Sequence, residues 1–300
     1  MQLQNIYQNY LSSSGISTDT RSLKKGELFF ALHGEKFNGN KFAEKAISIG
    51  AIKVIVDDQN IALLGTKVIV VKNTLKTLQK LANFHRTKLK TPIIAITGSN
   101  GKTSTKELVR EVLSQKYSVL ATEGNLNNHI GVPLTLLKLK EHHELAIIEM
   151  GANHLKEIEL LCNITQPNWG YITNFGKAHL EGFGSIQGVV KGKSELYEHL
   201  IDRKQKILIN GDDHKQIIQT NNYPTTSFGI GGKNNFQILP QENKNKTLQL
   251  NFKETAFISP LYGTYNLNNI AAAISFGYLF EVSLEEIKKA TKPEVKAKDK

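Results

Sequence analysis

A lysine and a threonine follow directly behind two closely spaced glycines in the run IAITGSNGKTSTKELV, Ile94 to Val109, and residues of these types at this spacing can hold a phosphate. The apolar run Ile93 to Ile96 reads as a buried strand, and Gly98 and Gly101 permit a tight turn. Leu108, Val112 and Leu113 recur at helical spacing, which predicts a helix over Thr103 to Gln115. At such a strand-to-helix turn, the backbone amides of Gly98, Ser99, Asn100, Gly101, Lys102, Thr103 and Ser104 face an anion beside a helix N-terminus, so negative charge is attracted by both amides and dipole. Lys102 adds a point charge, and the Thr103 hydroxyl supplies a ligand for Mg²⁺. The general pattern G-x-x-x-x-G-K-[ST] asks for glycine at position 96, where this chain has Ile96, so the loop is the tighter T-G-S-N-G-K-T. A glycine-rich turn without a ligand is the competing reading, but an empty turn needs neither the lysine nor the threonine.

Four further places carry groups suited to chemistry. The stretch EGNLNNHIGVPLTLL, Glu123 to Leu137, gathers Asn125, Asn127 and Asn128, which form either a binding loop or a polar approach to a helix at Ile130 to Leu139. Glu149 closes the apolar run LAIIE and is placed either to bind Mg²⁺, directly or through water, or to make an ordinary ion pair at a strand end. His179 and Glu181 fall in the glycine-punctuated segment ITNFGKAHLEGFG, although an isolated histidine is more often structural. A helix over Ser185 to Leu200 contains Gly188 and Gly192, and each costs roughly 1 kcal/mol relative to alanine, which points to close packing or to a ligand. Lys193, next in line, is either solvated or aimed at a metal site.

The elements that must position these residues alternate in type. The first 88 residues read as a small α/β unit with helices at Gln4 to Leu11, Phe42 to Ile49 and Leu75 to Thr87, and strands near Leu28–Leu32, Ile52–Val56 and Lys67–Val71. Lys88 to Pro92 is the expected linker, with proline punctuating the chain before the next strand. From residue 89 onward, strand candidates at Ile93–Thr97, Val119–Ala121, Leu145–Glu149, Gly170–Thr173 and Ile207–Asn210 alternate with helices, which predicts a mainly parallel sheet covered on both faces. In such a sheet ligands collect at the carboxyl ends of the strands, where the loops above lie. Short β-like runs between Tyr223 and Ser259, such as Phe236–Leu239 and Leu248–Phe252, predict a small secondary sheet, Asn266 to Phe280 a largely apolar helix, and Ser283 with Glu286 a capping box.

Three hundred residues, 40% of them hydrophobic, suffice for about two domains with a core each. One cysteine, Cys162, excludes an intramolecular disulfide, no run approaches the length of a membrane span, and the N-terminus has no apolar signal core. The cytoplasm is the expected compartment. A formal charge of +11 invites a nucleic-acid reading, but the lysines are dispersed and no basic run interleaves with aromatics.

Taken in order, T-G-S-N-G-K-T-S-T-K-E, G-N-L-N-N-H-I-G-V-P-L-T-L-L, E-M-G-A-N, I-T-N-F-G-K-A-H-L-E-G-F-G-S and Y-N-L-N-N-I-A-A-A resemble the motifs of the ATP-dependent Mur ligases of peptidoglycan synthesis, over nearly the whole chain. The second and third of these resemble most the members that join D-alanyl-D-alanine to UDP-N-acetylmuramoyl-tripeptide. The resemblance implies a UDP-substrate domain over 1–88, with Thr20, Lys36 and Asn38 toward the nucleotide, and a central ATP-binding domain over 89–300. Asn127 and Asn128 would face substrate. It implies that Lys102 and the loop hold the ATP phosphates, that Thr103 and Glu149 bind one Mg²⁺, and that His179 stands beside a second metal. Lys193 matches a lysine that relatives carbamylate to make an anionic metal ligand, and Asn266 and Asn269 match residues that contact adenine. Gly192 and Tyr265 stand where relatives usually have alanine and histidine. Lys102, His179 and Lys193 are the expected catalytic residues, in a reaction passing through an acyl phosphate. Relatives carry a third, C-terminal domain beginning near where this chain ends at Lys300, so a fragment with little ligation of its own is expected, and a monomer. A folylpolyglutamate synthetase-like ligase shares the tight loop but lacks the first unit, and a nucleotide-binding module without turnover is the reading from a different class.

Overall fold

Short β-branched and aromatic runs build the strands of the first unit: β1 (Ile16–Ser17), β2 (Leu28–Phe30), β3 (His33–Gly34), β4 (Phe37–Asn38), β5 (Lys53–Val56) and β6 (Val68–Val70). The computed structural model describes residues 2–34, 37–177, 180–241, 247–259, 261, 263 and 265–291, and divides the chain into Met1–Lys90 with His129–Leu139 as one unit and Thr91–Asn128 with Lys140–Lys300 as the other. In the first unit β1, β2, β5 and β6 lie side by side, all parallel, and β3 pairs antiparallel with β4. Helices α1 (Gln2–Leu11), α2 (Ala43–Ile49) and α3 (Thr74–Lys88) complete it. Asn73 caps α3 by accepting the Lys76 amide at 2.7 Å, and His85, Arg86 and Lys88 stand at its negative end.

Residues 129–139 join this unit through α3 and α1. Tyr10 donates its hydroxyl to the Leu137 carbonyl at 2.6 Å, and the His85 Nε2 faces the Leu139 carbonyl at 2.8 Å. A carbonyl can only accept, so Nε2 carries the proton and Nδ1 accepts from the Tyr7 hydroxyl at 3.2 Å.

The second unit is a seven-stranded, wholly parallel sheet. Its strands are β7 (Ile93–Thr97), β8 (Val119–Ala121), β9 (Leu145–Glu149), β10 (Trp169–Ile172), β11 (Lys206–Asn210), β12 (Thr226–Gly229) and β13 (Phe236–Gln237), in the spatial order β13-β12-β11-β10-β7-β9-β8. Every residue of β7, β9 and β10 is buried, which explains their unbroken apolar runs: a parallel strand covered on both faces has no polar side to alternate with. The helices are α4 (Lys102–Leu113), α5 (Gly131–Leu136, which belongs to the first unit), α6 (Glu157–Thr165), α7 (Leu180–Phe183), α8 (Ile186–Asp202), α9 (His214–Gln219), α10 (Tyr265–Leu279) and α11 (Leu284–Ala290). Ile94, Ile96, Ile147 and Tyr171 point to one face, where Val109 and Val112 of α4 meet Ala271 to Ala273 of α10. Gly170 points to the other, where a side chain on it would collide with Leu196 and Leu200 of α8.

The sheet extends further than the sequence suggested. Phe236–Gln237, expected in the secondary sheet, pairs parallel with β12 and forms the edge of the main sheet, because Phe236 buries itself among Phe252 and Tyr278. The secondary sheet is β14 (Leu239–Gln241), β15 (Leu248–Phe252) and β16 (Thr255–Ser259), antiparallel, turned between the last two by Lys253 and Glu254, both left-handed. The predicted capping box at Ser283 and Glu286 forms. Among the described residues no helix is long and apolar enough to cross a membrane.

His199 lies on the buried face of α8 with no hydrogen-bond partner at Nε2. Burial, and then the Arg203 charge, hold its imidazolium down to about 4 from an ordinary 6.5. The neutral ring is the form that folds, so its contribution is complete above pH 6.5 and is lost as pH falls toward 4, an effect of at most about 3 kcal/mol. Urea unfolding of wild type and His199→Leu at pH 7 and pH 4.5 should show the wild type losing more stability between the two; equal losses would remove His199 as the cause.

Candidate active site

β7 delivers the chain into Gly98 and α4 leads it away, and the turn between them is possible only with glycine at both ends. Gly98 has φ +144°, and a Cβ there would fall on the Thr173 hydroxyl; Gly101 has φ +78°, and its Cβ would lie 2.8 Å from Asn269 Oδ1. Gly101 is also the N-cap of α4, and no side chain caps the helix. The first-turn amides of α4 therefore remain available, with the helix dipole behind them, to an anion.

The segment after β10 braces this loop. Thr173 donates its hydroxyl to the Asn100 carbonyl at 2.6 Å, Asn174 accepts the Asn100 amide on Oδ1 at 3.2 Å and returns a bond from Nδ2 to the Asn100 carbonyl at 2.9 Å, and the Asn174 carbonyl takes the Ser99 amide at 3.1 Å. Ser99 is buried and donates to the Gly176 carbonyl at 2.9 Å. Lys102 folds back on its own loop, donating to the carbonyls of Gly98 at 2.9 Å and Ser99 at 3.2 Å. Burial draws its ammonium below the ordinary lysine range, and the Glu149 charge works against that. Ser104 is exposed on the first turn of α4.

Glu149, 1% exposed, sits at the end of β9 beside the loop. Its Oε1 accepts from the Thr103 hydroxyl at 3.2 Å and from the Asn127 amide at 2.8 Å. Its backbone amide donates to the Thr122 hydroxyl at 2.9 Å, whereas Oε2 has no hydrogen-bond partner and lies 4.0 Å from the buried Lys106 ammonium. Asn128, next to Asn127, is exposed. The close approach of Gly151 to the Asn127 carboxamide, 2.9 Å from where its Cβ would be, fixes Asn127 against β9. A hydroxyl and an incompletely satisfied carboxylate form an all-oxygen donor set suited to Mg²⁺, which takes few protein ligands and completes its shell with water and phosphate. Among the described residues no three His, Cys, Asp or Glu side chains converge.

Lys193 is 1% exposed, with its amine 5.5 Å over the Phe183 ring and no carboxylate within ion-pair distance among the described residues. Burial, and then the nearby Lys102 charge, push its ammonium down to about 8, with Glu157 pulling weakly the other way. Close packing accounts for the two glycines of α8: a Cβ on Gly188 would strike the Phe183 carbonyl, and one on Gly192 the Phe183 ring. Glu195, one turn from the same stretch, caps α6 by accepting the amides of Lys156 at 2.6 Å and Glu159 at 3.0 Å.

Asn269 is buried behind the loop, accepting from the Thr105 hydroxyl at 3.0 Å and donating to Asn266 Oδ1 at 2.9 Å. In the first unit Thr20 is buried and Asn38 accepts the Asn40 amide at 2.9 Å. His179 and Lys36 lie outside the described residues. The structure thus gathers Lys102, Thr103, Asn127 and Glu149 around one helix end, with Lys193 close enough to feel the Lys102 charge. It adds Lys106, Thr173 and Asn174, which sequence reasoning missed; the threonine and asparagine directly after the β10 run were the available signal.

The family model for the Mur ligase middle domain matches residues 96–277, which contain the whole of this arrangement, and that for the Mur ligase family catalytic domain matches residues 12–86. The chain belongs to the Mur ligase family. Within that family it is 36% identical over 283 residues to the UDP-N-acetylmuramoyl-tripeptide–D-alanyl-D-alanine ligase of Bacillus subtilis, an alignment covering 92% of this chain and 60% of the relative. It superposes on MurF from Acinetobacter baumannii with a TM-score of 0.84 at 31% identity, over 99% of this chain and 69% of that one. With the Thermotoga maritima MurF ligase in complex with ADP the TM-score is 0.82 at 26% identity, over 95% and 67% of the two chains. The chain therefore spans about 60% of the length of the curated Mur ligase relative it matches.

Gly98→Ala should test the loop geometry. The left-handed φ and the collision with Thr173 together should cost about 1–3 kcal/mol, read as a lower thermal midpoint, and should weaken binding of ADP in calorimetry. A variant equal to wild type on both counts would show that the loop tolerates a side chain.

Proposed function

We propose that this chain serves an ATP-dependent ligase that joins D-alanyl-D-alanine to UDP-N-acetylmuramoyl-tripeptide through an acyl phosphate, acting as a cytoplasmic monomer in peptidoglycan synthesis. The observation that carries this reading is the convergence of Lys102, Thr103 and Glu149 at the uncapped end of α4, in a chain of the Mur ligase family. ATP phosphates would displace the loop carbonyls as partners of Lys102, exchanging weak neutral acceptors for charged ones. Asn266 and Asn269 would stand toward adenine, with Asn269 also holding Thr105 and backing Gly101. Thr103 and Glu149 would hold Mg²⁺, which supplies charge neutralisation on the phosphates when bound. Thr20, Lys36, Asn38 and Asn128 would bind the UDP-linked peptide, with His179 near a second metal.

The first bond formed joins an oxygen of the tripeptide's terminal carboxylate to the ATP γ-phosphorus as the bond to ADP breaks. The amine of D-alanyl-D-alanine then attacks the activated carbon, loses a proton, and expels phosphate. Lys102 would counter the charge that builds on the transferred group. Lys193 is suited to carbamylation because a buried amine held down to about 8 has a substantial neutral fraction near physiological pH. The ammonium first gives up one proton; the neutral nitrogen would then attack CO₂, forming a nitrogen–carbon bond as one carbon–oxygen π bond opens, and a second proton would leave, so that a carbamate anion stands where a cation stood.

Calorimetry with ADP and Mg²⁺ tests the nucleotide site: Lys102→Ala should weaken ADP binding by about 100-fold, the scale of a lost charge-assisted phosphate contact, while the thermal midpoint stays within error. Unchanged affinity would exclude the loop. In the intact protein, phosphate release from ATP should require both the UDP-linked tripeptide and D-alanyl-D-alanine; release with neither would point to a different acceptor. With ¹³C-bicarbonate and Mg²⁺, a carbamate carbon signal should appear that Lys193→Ala abolishes, and a signal that survives the substitution would assign the modification elsewhere.

A further inference from the structure

Lys106 is fully buried on α4, four residues beyond Lys102, and stands opposite the end of Glu149 that the loop does not use. Its ammonium donates to the Thr122 carbonyl at 2.6 Å and contacts Glu107 Oε1 at 2.9 Å; Glu107 is itself half-exposed and shared with Arg110 at 3.0 Å. Glu149 Oε2, the one oxygen of that carboxylate without a hydrogen-bond partner, lies 4.0 Å from the same ammonium, at ion-pair rather than hydrogen-bond distance. Thr122 joins the two groups, since its carbonyl fixes Lys106 and its hydroxyl accepts the Glu149 amide at 2.9 Å. Thr122 is in turn held by its amide on the Ile147 carbonyl at 3.0 Å, so cation and carboxylate are positioned by the neighbouring strands β8 and β9.

A solvated role does not explain a lysine with none of its side chain exposed, because burying an ammonium is costly unless a charge and hydrogen bonds compensate it. Nor does the half-exposed Glu107 call for a buried cation, since its other oxygen pairs with the partly exposed Arg110 at 3.0 Å. The buried charge that needs a partner is Glu149. We propose that Lys106 is a positioning residue: anchored on Thr122, it holds Glu149 Oε2 and thereby presents Oε1 to Thr103 and to the metal of the bound nucleotide. The proposal rests on the nucleotide-site reading above and adds to it the residue that sets the orientation of the metal-binding carboxylate. Lys102 and Lys106 then divide the work on one face of α4, the first toward phosphate and the second toward the carboxylate behind it.

The test measures ADP affinity by calorimetry, in saturating Mg²⁺ and in chelator, for wild type, Lys106→Met, Glu149→Gln and the double variant. Lys106→Met should leave metal-free ADP affinity unchanged and reduce the Mg²⁺-dependent gain by about tenfold, the scale of one displaced charged contact. In the Glu149→Gln background it should reduce that gain no further. Lys106→Gln, which keeps a donor for Thr122 without the charge, covers the case that the methionine variant does not fold, and should show the same split. In the metal-free protein the side-chain amide resonance of Asn127, which donates to Glu149 Oε1, should shift in Lys106→Gln. Equal losses with and without Mg²⁺, a loss that adds to that of Glu149→Gln, or an unmoved Asn127 resonance would overturn the positioning role. Absence of any ADP binding by the wild-type chain would instead remove the nucleotide site, and the proposal with it.

Discussion

Glu149 is a carboxylate at the end of a central strand with 1% of its surface exposed, and such a group destabilises the fold by several kcal/mol unless charge and hydrogen bonds surround it. The groups that surround it come from separate parts of the second unit. Thr103 and Lys106 stand on α4, Thr122 follows β8, and Asn127 comes from the loop beyond. Satisfying one buried charge therefore fixes α4, β8 and the asparagine loop relative to β9. The same requirement explains why Lys106 is fully buried in a helix whose other lysine reaches toward the loop.

A second constraint lies behind the loop. Three consecutive alanines, Ala271 to Ala273, and Gly277 let α10 approach α4 so closely that a Cβ on Gly277 would stand 2.5 Å from Val112. That approach places the Asn269 carboxamide against Gly101 and Thr105. Small side chains in one helix thus set the shape of a loop more than 160 residues earlier in sequence, and the loop keeps its tight turn because neither helix can move without opening a cavity.

What could be read from the sequence was local. The strand, turn and helix at Ile93 to Leu113 announce themselves because hydrophobic periodicity changes at two glycines, and the lysine and threonine there name an anion and a metal. Glu149 was legible as a strand-end carboxylate. Its partners were not: Asn127 reads as one polar residue among several, and only the fold brings it 2.8 Å from Glu149. Lys106 escaped because helical patterning counts apolar residues, and a lysine among them reads as solvent-facing. Phe236 was assigned to the wrong sheet because a two-residue strand has no period, and its burial among Phe252 and Tyr278 is a tertiary fact. The glycines of α8 left packing and ligand binding equally open until Phe183 was seen to fill the space beside both.

The helix at Gly131–Leu136 interrupts the second unit's sequence between β8 and β9, yet it buries Val132, Pro133 and Leu136 in the first unit. Its neighbours Leu137 and Leu139 give their carbonyls to Tyr10 and His85 of that unit. The chain therefore passes between the two units more than once. Exchanging the first unit between relatives, as modular evolution does with tandem domains, would strand this helix beside unfamiliar partners unless residues 129–139 travelled with it. Substitutions in the two segments are thus expected to be inherited together, which makes the natural unit of recombination a discontinuous one.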